Sequence, residues 1–113
     1  MAIKYYEVPE KRQVIAVMNN TQYDSINKIR KIMNQSGYYF SPMSEREMES
    51  YMMPDDFKVV VTCDERDEYS FEVGKQIAKN RLLKNYRKSL DKRIGKFHES
   101  VAQFVINLNP ENS

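Results

Sequence analysis

Cys63 and His98 are the single cysteine and the single histidine of this 113-residue chain, so thiol–imidazole catalysis would have to use that one pair. A strand end, a loop and most of a helix separate them in the sequence. Cys63 closes an apolar run, where a cysteine behaves as a small hydrophobe. His98 stands beside Phe97 as a surface or packed residue. Asp64-Glu65-Arg66-Asp67-Glu68 is rich in carboxylates but lacks the alternating ligand spacing and central glycine of a calcium loop. Pro54-Asp55-Asp56-Phe57-Lys58 has the letters of a restriction-type nuclease motif. Metal-assisted cleavage needs two acids that converge from separate strands, and here every letter falls within five consecutive residues. The glycines, at 37, 74 and 95, are too far apart for a phosphate-cradling loop. No titratable set converges by spacing. The expectation is a protein that is not an enzyme, with no metal, no cofactor and no small-molecule substrate.

Positive charge is the remaining chemistry. Lys75, Lys79, Arg81, Lys84, Arg87, Lys88, Lys92, Arg93 and Lys96 stand against one acid, Asp91, which gives that segment +8 and leaves −6 for the rest of a chain of net charge +2. Just upstream, Asp64, Glu65, Asp67, Glu68 and Glu72 oppose Arg66 alone. Such segregation marks a charged face, and a cationic helix face attracts phosphate backbone with a steep salt dependence. These nine residues are the candidate electrostatic binding set. Arginine is favoured wherever phosphate or carboxylate is gripped by two hydrogen bonds at once.

The elements that must carry this charge follow from hydrophobic periodicity. Residues 3–8 and 13–18 read as strands of a hairpin around Pro9-Glu10-Lys11-Arg12, and 57–63 as a third, β-branched strand. Val14-Ile15-Ala16-Val17 is continuous rather than alternating, the pattern of a strand buried on both faces. Thr21-Gln22-Tyr23-Asp24 has the form of a capping box opening a helix over 21–36, with Tyr23, Ile26, Ile29, Ile32 and Met33 at helical spacing and Gly37 as its stop. Tyr38-Tyr39-Phe40-Ser41-Pro42 is an aromatic connector, and Ser44-Glu45-Arg46-Glu47 opens a short helix over 44–52. Ser70 is the expected N-cap of a last helix over 71–108. Acids at its start, and bases further on, would suit its dipole.

The apolar stripe of that helix takes in Val73, Ile77, Leu83, Tyr86, Leu90, Ile94, Phe97, Val101, Phe104 and Leu108, close to a heptad repeat from Leu83 onward. A continuous helix of this span would be about 55 Å long, against a radius of gyration near 13 Å for a compact chain of this size. The helix must therefore break, at Ser89 or Gly95 within 89–95, or project and pair with another copy. In the second case Leu83, Tyr86, Leu90, Ile94, Phe97, Val101 and Phe104 form the self-association seam. The expected class is α+β, a single domain over 1–108 followed by a disordered tail at 109–113.

Composition agrees with a lean core. Apolar residues make up 41% of the chain and charged residues 30%, so eight tyrosines and seven methionines must supply much of the packing. No apolar run approaches the roughly 18 residues needed to span a bilayer. The first residues lack a signal-peptide core, and a lone cysteine fits a reducing compartment. The cytoplasm is the expected location.

Cys63, Asp67, Tyr69, Glu72, Gly74, Lys75, Ile77, Ala78 and Arg81 resemble a recurring pattern in a family of small proteins encoded by phages and mobile elements of low-GC Gram-positive bacteria. In that family a strand ends in Cys, an acidic turn with Asp and an aromatic follows, and Glu-x-Gly-Lys-x-x-Ala opens a basic helix. Members often carry His-Pro after the cysteine, where this chain has Asp64-Glu65, and Phe where it has Tyr69. The resemblance implies a phage-type origin, a host-cell cytoplasmic location and a non-enzymatic accessory role. Two functions are then expected. One is a binding protein whose basic helix engages nucleic acid or a host nucleic-acid-processing protein, for example as an inhibitor of a defence or CRISPR nuclease. The other is an assembly protein that dimerises through the long helix.

Overall fold

A computed structural model describes residues 2–36 and 45–108. The class is α+β. Strands β1 (Ile3–Val8), β2 (Gln13–Asn19) and β3 (Asp56–Thr62) form an antiparallel sheet in the order β1-β2-β3. Helices α1 (Asp24–Ser36), α2 (Glu45–Tyr51) and α3 (Phe71–Leu108) complete the chain. Contacts divide it into two compact units, Met1–Thr21 with Pro54–Lys88, and Gln22–Met53 with Ser89–Ser113. Gly37, the aromatic connector, Ser44 and the 109–113 tail lie outside the described residues.

The first unit is built on the hairpin. Pro9–Lys11 forms one 3-10 turn, and Arg12 closes it in a left-handed conformation (φ 53°), its N–H bonded to the Pro9 carbonyl at 3.0 Å. The register sets Val14, Ala16 and Met18 of β2 on one side of the sheet, and all three are buried. Ile15 and Val17 point to the other side and are only half-buried. The expectation of a strand buried on both faces is thus corrected: a single layer of helix covers a single face.

The part of α3 in this unit starts at Phe71, and Ser70 caps it as expected, its Oγ accepting from the Val73 N–H at 3.3 Å. The row that packs is Gly74, Ala78, Leu82 and Tyr86, four residues apart, with Leu82 and Ala78 fully buried and Tyr86 edge-on to Phe57 at 5.7 Å between centroids. The sequence stripe is corrected by one position here. Val73 (59% exposed) and Ile77 (38%) lie outward, and Leu83 is half-buried beside fully buried Leu82. A count of large apolar residues overlooks glycine and alanine, which let a helix backbone approach a sheet closely.

Thr21 does not cap α1, which begins at Asp24. It is buried, donates its hydroxyl to the Pro54 carbonyl at 2.6 Å, and its N–H binds the Asp55 carbonyl at 3.1 Å. The predicted capping box is replaced by a clasp that joins the two segments of the first unit.

In the second unit, Ile26, Ile29, Tyr51 and Phe97 form the core, with Ile32, Met33, Met52 and Val101 packed against it. Tyr51 and Phe97 meet edge-to-face at 6.1 Å, the arrangement preferred by ring quadrupoles. The Tyr51 hydroxyl donates to Ser100 Oγ at 3.1 Å, and buried Ser25 donates to the Tyr51 carbonyl. No break occurs at Ser89 or Gly95, since α3 is helical throughout Phe71–Leu108.

Candidate functional site

The nine predicted basic residues separate into two groups by what they touch. Lys75 is used internally, its Nζ 5.2 Å from the ring centroids of both Tyr5 and Phe71. Arg93 is used internally too. Its Nε donates to the Met52 carbonyl at 2.9 Å and its Nη1 to the Ser89 carbonyl at 3.0 Å. The other seven are exposed: Lys79, Arg81, Lys84, Arg87 and Lys88 in the first unit, Lys92 and Lys96 in the second.

Packing of the Gly74–Ala78–Leu82–Tyr86 row turns the opposite side of the helix outward. At about 100° per residue, Lys84 and Arg87 stand roughly 160° and 140° around the axis from Leu82, with Arg81 and Lys88 on the flank. No acid among the described residues forms an ion pair with any of the seven. The recorded ion pair, Arg66 with Asp64 at 3.3 Å, lies in the acidic loop. Nor does the helix dipole account for them. Its effect is confined to the terminal turn, and the last turn of α3 holds no basic residue, so that expectation is corrected.

The predicted self-association seam is engaged within the chain at Tyr86 and Phe97. Tyr86 and Phe97 are 7% and 8% exposed, against Phe57 and Tyr51. Leu83, Leu90, Ile94 and Val101 are half-buried, and the side chain of Phe104 lies outside the described residues.

A second feature of the first unit was not legible in the sequence. A cleft of about 370 Å³ is lined by Arg12, Cys63, Asp67, Tyr69, Val73 and Ile77, among others, with Val14 and Val61 also in its wall. Cys63, Asp67, Tyr69, Gly74, Ile77 and Arg81, six of the nine residues on which the sequence resemblance rests, line it. Arg12 organises this region from far away in sequence. Its Nη2 donates to the Cys63 sulfur at 3.4 Å, to the Asp64 carbonyl at 3.2 Å and to the Asp67 carbonyl, while its own carbonyl accepts from the Cys63 N–H at 2.9 Å. Its guanidinium stands 6.0 Å from the centre of the Tyr69 ring.

These groups are committed to holding the loop in place. Hydrogen bonds from the Arg66 side chain and backbone hold the Asp64 carboxyl below the usual carboxylate range. Partial burial pushes the Tyr69 phenol up to about 12, helped by its 2.8 Å hydrogen bond to the Glu7 carboxylate and by that negative charge. No histidine lines the cleft, and His98 is exposed on α3. Among the described residues, no three His, Cys, Asp or Glu are placed to hold a metal ion, and no helix is long and apolar enough to cross a membrane.

No protein-family model, curated protein or solved structure matches the chain.

Proposed function

We propose that this protein works by binding rather than by catalysis, and that its ligand is a polyanion: the backbone of a nucleic acid, or the acidic face of a host protein that handles nucleic acid. The exposed run Lys79, Arg81, Lys84, Arg87 and Lys88 of α3 is the docking surface. One observation carries the reading. These cations stand in solvent without acid partners among the described residues, and Lys84, Lys88, Lys92 and Lys96 repeat at four-residue spacing. Like charges at that spacing cost an isolated helix about 0.2–0.5 kcal/mol per pair. A chain that keeps such repulsion, with neither dipole nor ion pair to offset it, needs another reason for it, and a polyanionic partner supplies one. In a phage-type accessory protein, the surface would serve to occupy a defence or CRISPR nuclease or its nucleic acid.

The test is fluorescence anisotropy with labelled mixed-sequence duplex and single-stranded 20-mers over a series of salt concentrations. Binding that weakens linearly in log–log form, with a slope set by the number of phosphates neutralised, is the expected result. A flat response at low salt would remove nucleic acid as the ligand and leave the acidic protein.

A further inference from the structure

Among the described residues, the outer face of the sheet keeps a row of apolar side chains partly open to solvent. Sheets with one wet face ordinarily alternate apolar inward and polar outward. Here the register places Tyr6, Ile15 and Val60 in one row on the outer face, with Val17 in the next row and Val8 on the other side. Tyr6 is 52% exposed and Val60 44%, while Ile15, Val17 and Val8 are half-buried. Beside that apolar row, Lys4 of β1 and Lys58 of β3 both pair with Val17, so two exposed lysines flank one valine on the same face. At the far end Gln13 donates to Thr62 at 3.2 Å and closes the patch with a neutral pair.

We propose that this face docks an amphipathic helix of a partner protein, laid along β2, whose apolar stripe is bordered on both sides by acidic residues. Dimensions and charge favour that occupant. Lys4 and Lys58 are two strand spacings apart, about 9.6 Å, close to the roughly 10 Å diameter of an α-helix. Each lysine therefore meets one flank of a helix seated over Val17 and Ile15, and an acidic border complements both. The floor is aliphatic with one aromatic, Tyr6, whereas binding single strands by stacking depends on a succession of aromatic rings. Three strands of about six residues span roughly 14 by 20 Å, about 300 Å². That is far below the roughly 800 Å² per partner of a stable protein pair, so a second copy of this face would not hold by itself. A single helix fits the area available as a weak, transient contact, the kind that a face of this size supports. This surface is separate from the basic run of α3, and neither proposal depends on the other.

The experiment is an amide NMR titration of the full chain with two synthetic 15-residue helices that share one leucine stripe and differ in having Glu or Lys on both borders. The Glu-bordered peptide should shift the amides of Tyr6, Ile15 and Val60 and bind at least tenfold more tightly than the Lys-bordered one. Lys4→Glu with Lys58→Glu should reverse that preference, and Val60→Asp should abolish binding while spectral dispersion is retained. In a chain carrying Lys84→Glu and Lys88→Glu the shifts should stay on the sheet, which separates this surface from simple attraction of an acidic peptide to α3. Equal affinity for the two peptides, shifts confined to α3, or no binding at millimolar peptide would overturn the proposal. So would a dT12 oligonucleotide moving the same three amides, or dimerisation through them by light scattering.

Discussion

A Cβ placed on Gly74 would stand 2.5 Å from Cγ2 of Val14, nearer than carbon atoms approach without something moving. The first turns of α3 and the start of β2 are in contact there only because position 74 has no side chain. Gly74→Ala is expected to destabilise the protein by about 1–2 kcal/mol, since overpacking costs about 1–3 kcal/mol and better helix propensity returns up to about 1 kcal/mol. Urea unfolding would measure it. Adding Val14→Ala should cost less in this background than in the wild type, because the second change relieves the first.

That contact also marks where the sequence stopped being readable. The hairpin pattern announced β1 and β2 and a β-branched run announced β3, the Ser70 cap announced the start of α3, and the apolar stripe places Phe97 and Val101 on the packed side, as the structure has them. Tyr86 belongs to the predicted stripe and is buried, but Gly74, Ala78 and Leu82 of the same inward row do not, because large apolar residues dominate a periodicity count while the closest packing here uses the smallest ones. Thr21 looked like a cap because its neighbours allow one, and no local signal marks Pro54 as its partner. Arg12 could not be singled out at all. It bonds to groups 51 to 55 positions away, from a turn where it reads as one more charged residue. Of the binding set, residue type identified nine cations, but only packing tells that Lys75 and Arg93 are spent internally.

Lys88 has Lys84 and Lys92 one turn away on either side. Lys88→Glu turns two repulsions into two attractions but sets a like charge three residues before Asp91, for a net gain of roughly 0.5–1 kcal/mol at low salt, by the usual size of such pairs. The gain should shrink at 0.5 M salt. The same change should weaken oligonucleotide binding. Opposite signs for stability and binding would mark a residue retained for its partner, whereas parallel losses would make it a structural residue.

Tyr69 offers a pH-dependent signature. Its phenol titrates at about 12 in the folded chain against 10.0 ordinarily, so the folded state holds that proton more tightly than the unfolded state. The associated stability is fully present below pH 10 and falls as pH rises from there toward 12. Glu7→Gln removes the neighbouring negative charge and should lower the midpoint, as read by carbon NMR at the Tyr69 ring. An unchanged midpoint would leave burial as the whole cause.

Arg12 holds the Asp64–Asp67 turn with hydrogen bonds from a charged donor, each worth about 1.5–3 kcal/mol. Arg12→Ala should cost about 2 kcal/mol in unfolding experiments and speed hydrogen exchange at the Asp67 amide, which bonds the Asp64 carbonyl at 3.0 Å. Arg12→Gly should be milder, because glycine removes the cost of roughly 1 kcal/mol for a left-handed backbone at a residue with a Cβ. If both variants lose equally, the side chain contributes everything and the backbone nothing.

Because α3 enters at Phe71 in one unit and leaves in the other after Lys88, each unit is assembled from two stretches of chain interleaved with those of its neighbour. A ribosome releasing this protein therefore cannot finish either unit early. The sheet waits for residues up to 88, and α1 with α2 waits for residues beyond 88. No single proteolytic cut can release one unit whole, and a truncation that removes the end of α3 strands half of the second core without its partner. Expression of fragments is a poor route to this molecule, and ribosome-stalled nascent chains should gain protease resistance late, in two closely spaced steps.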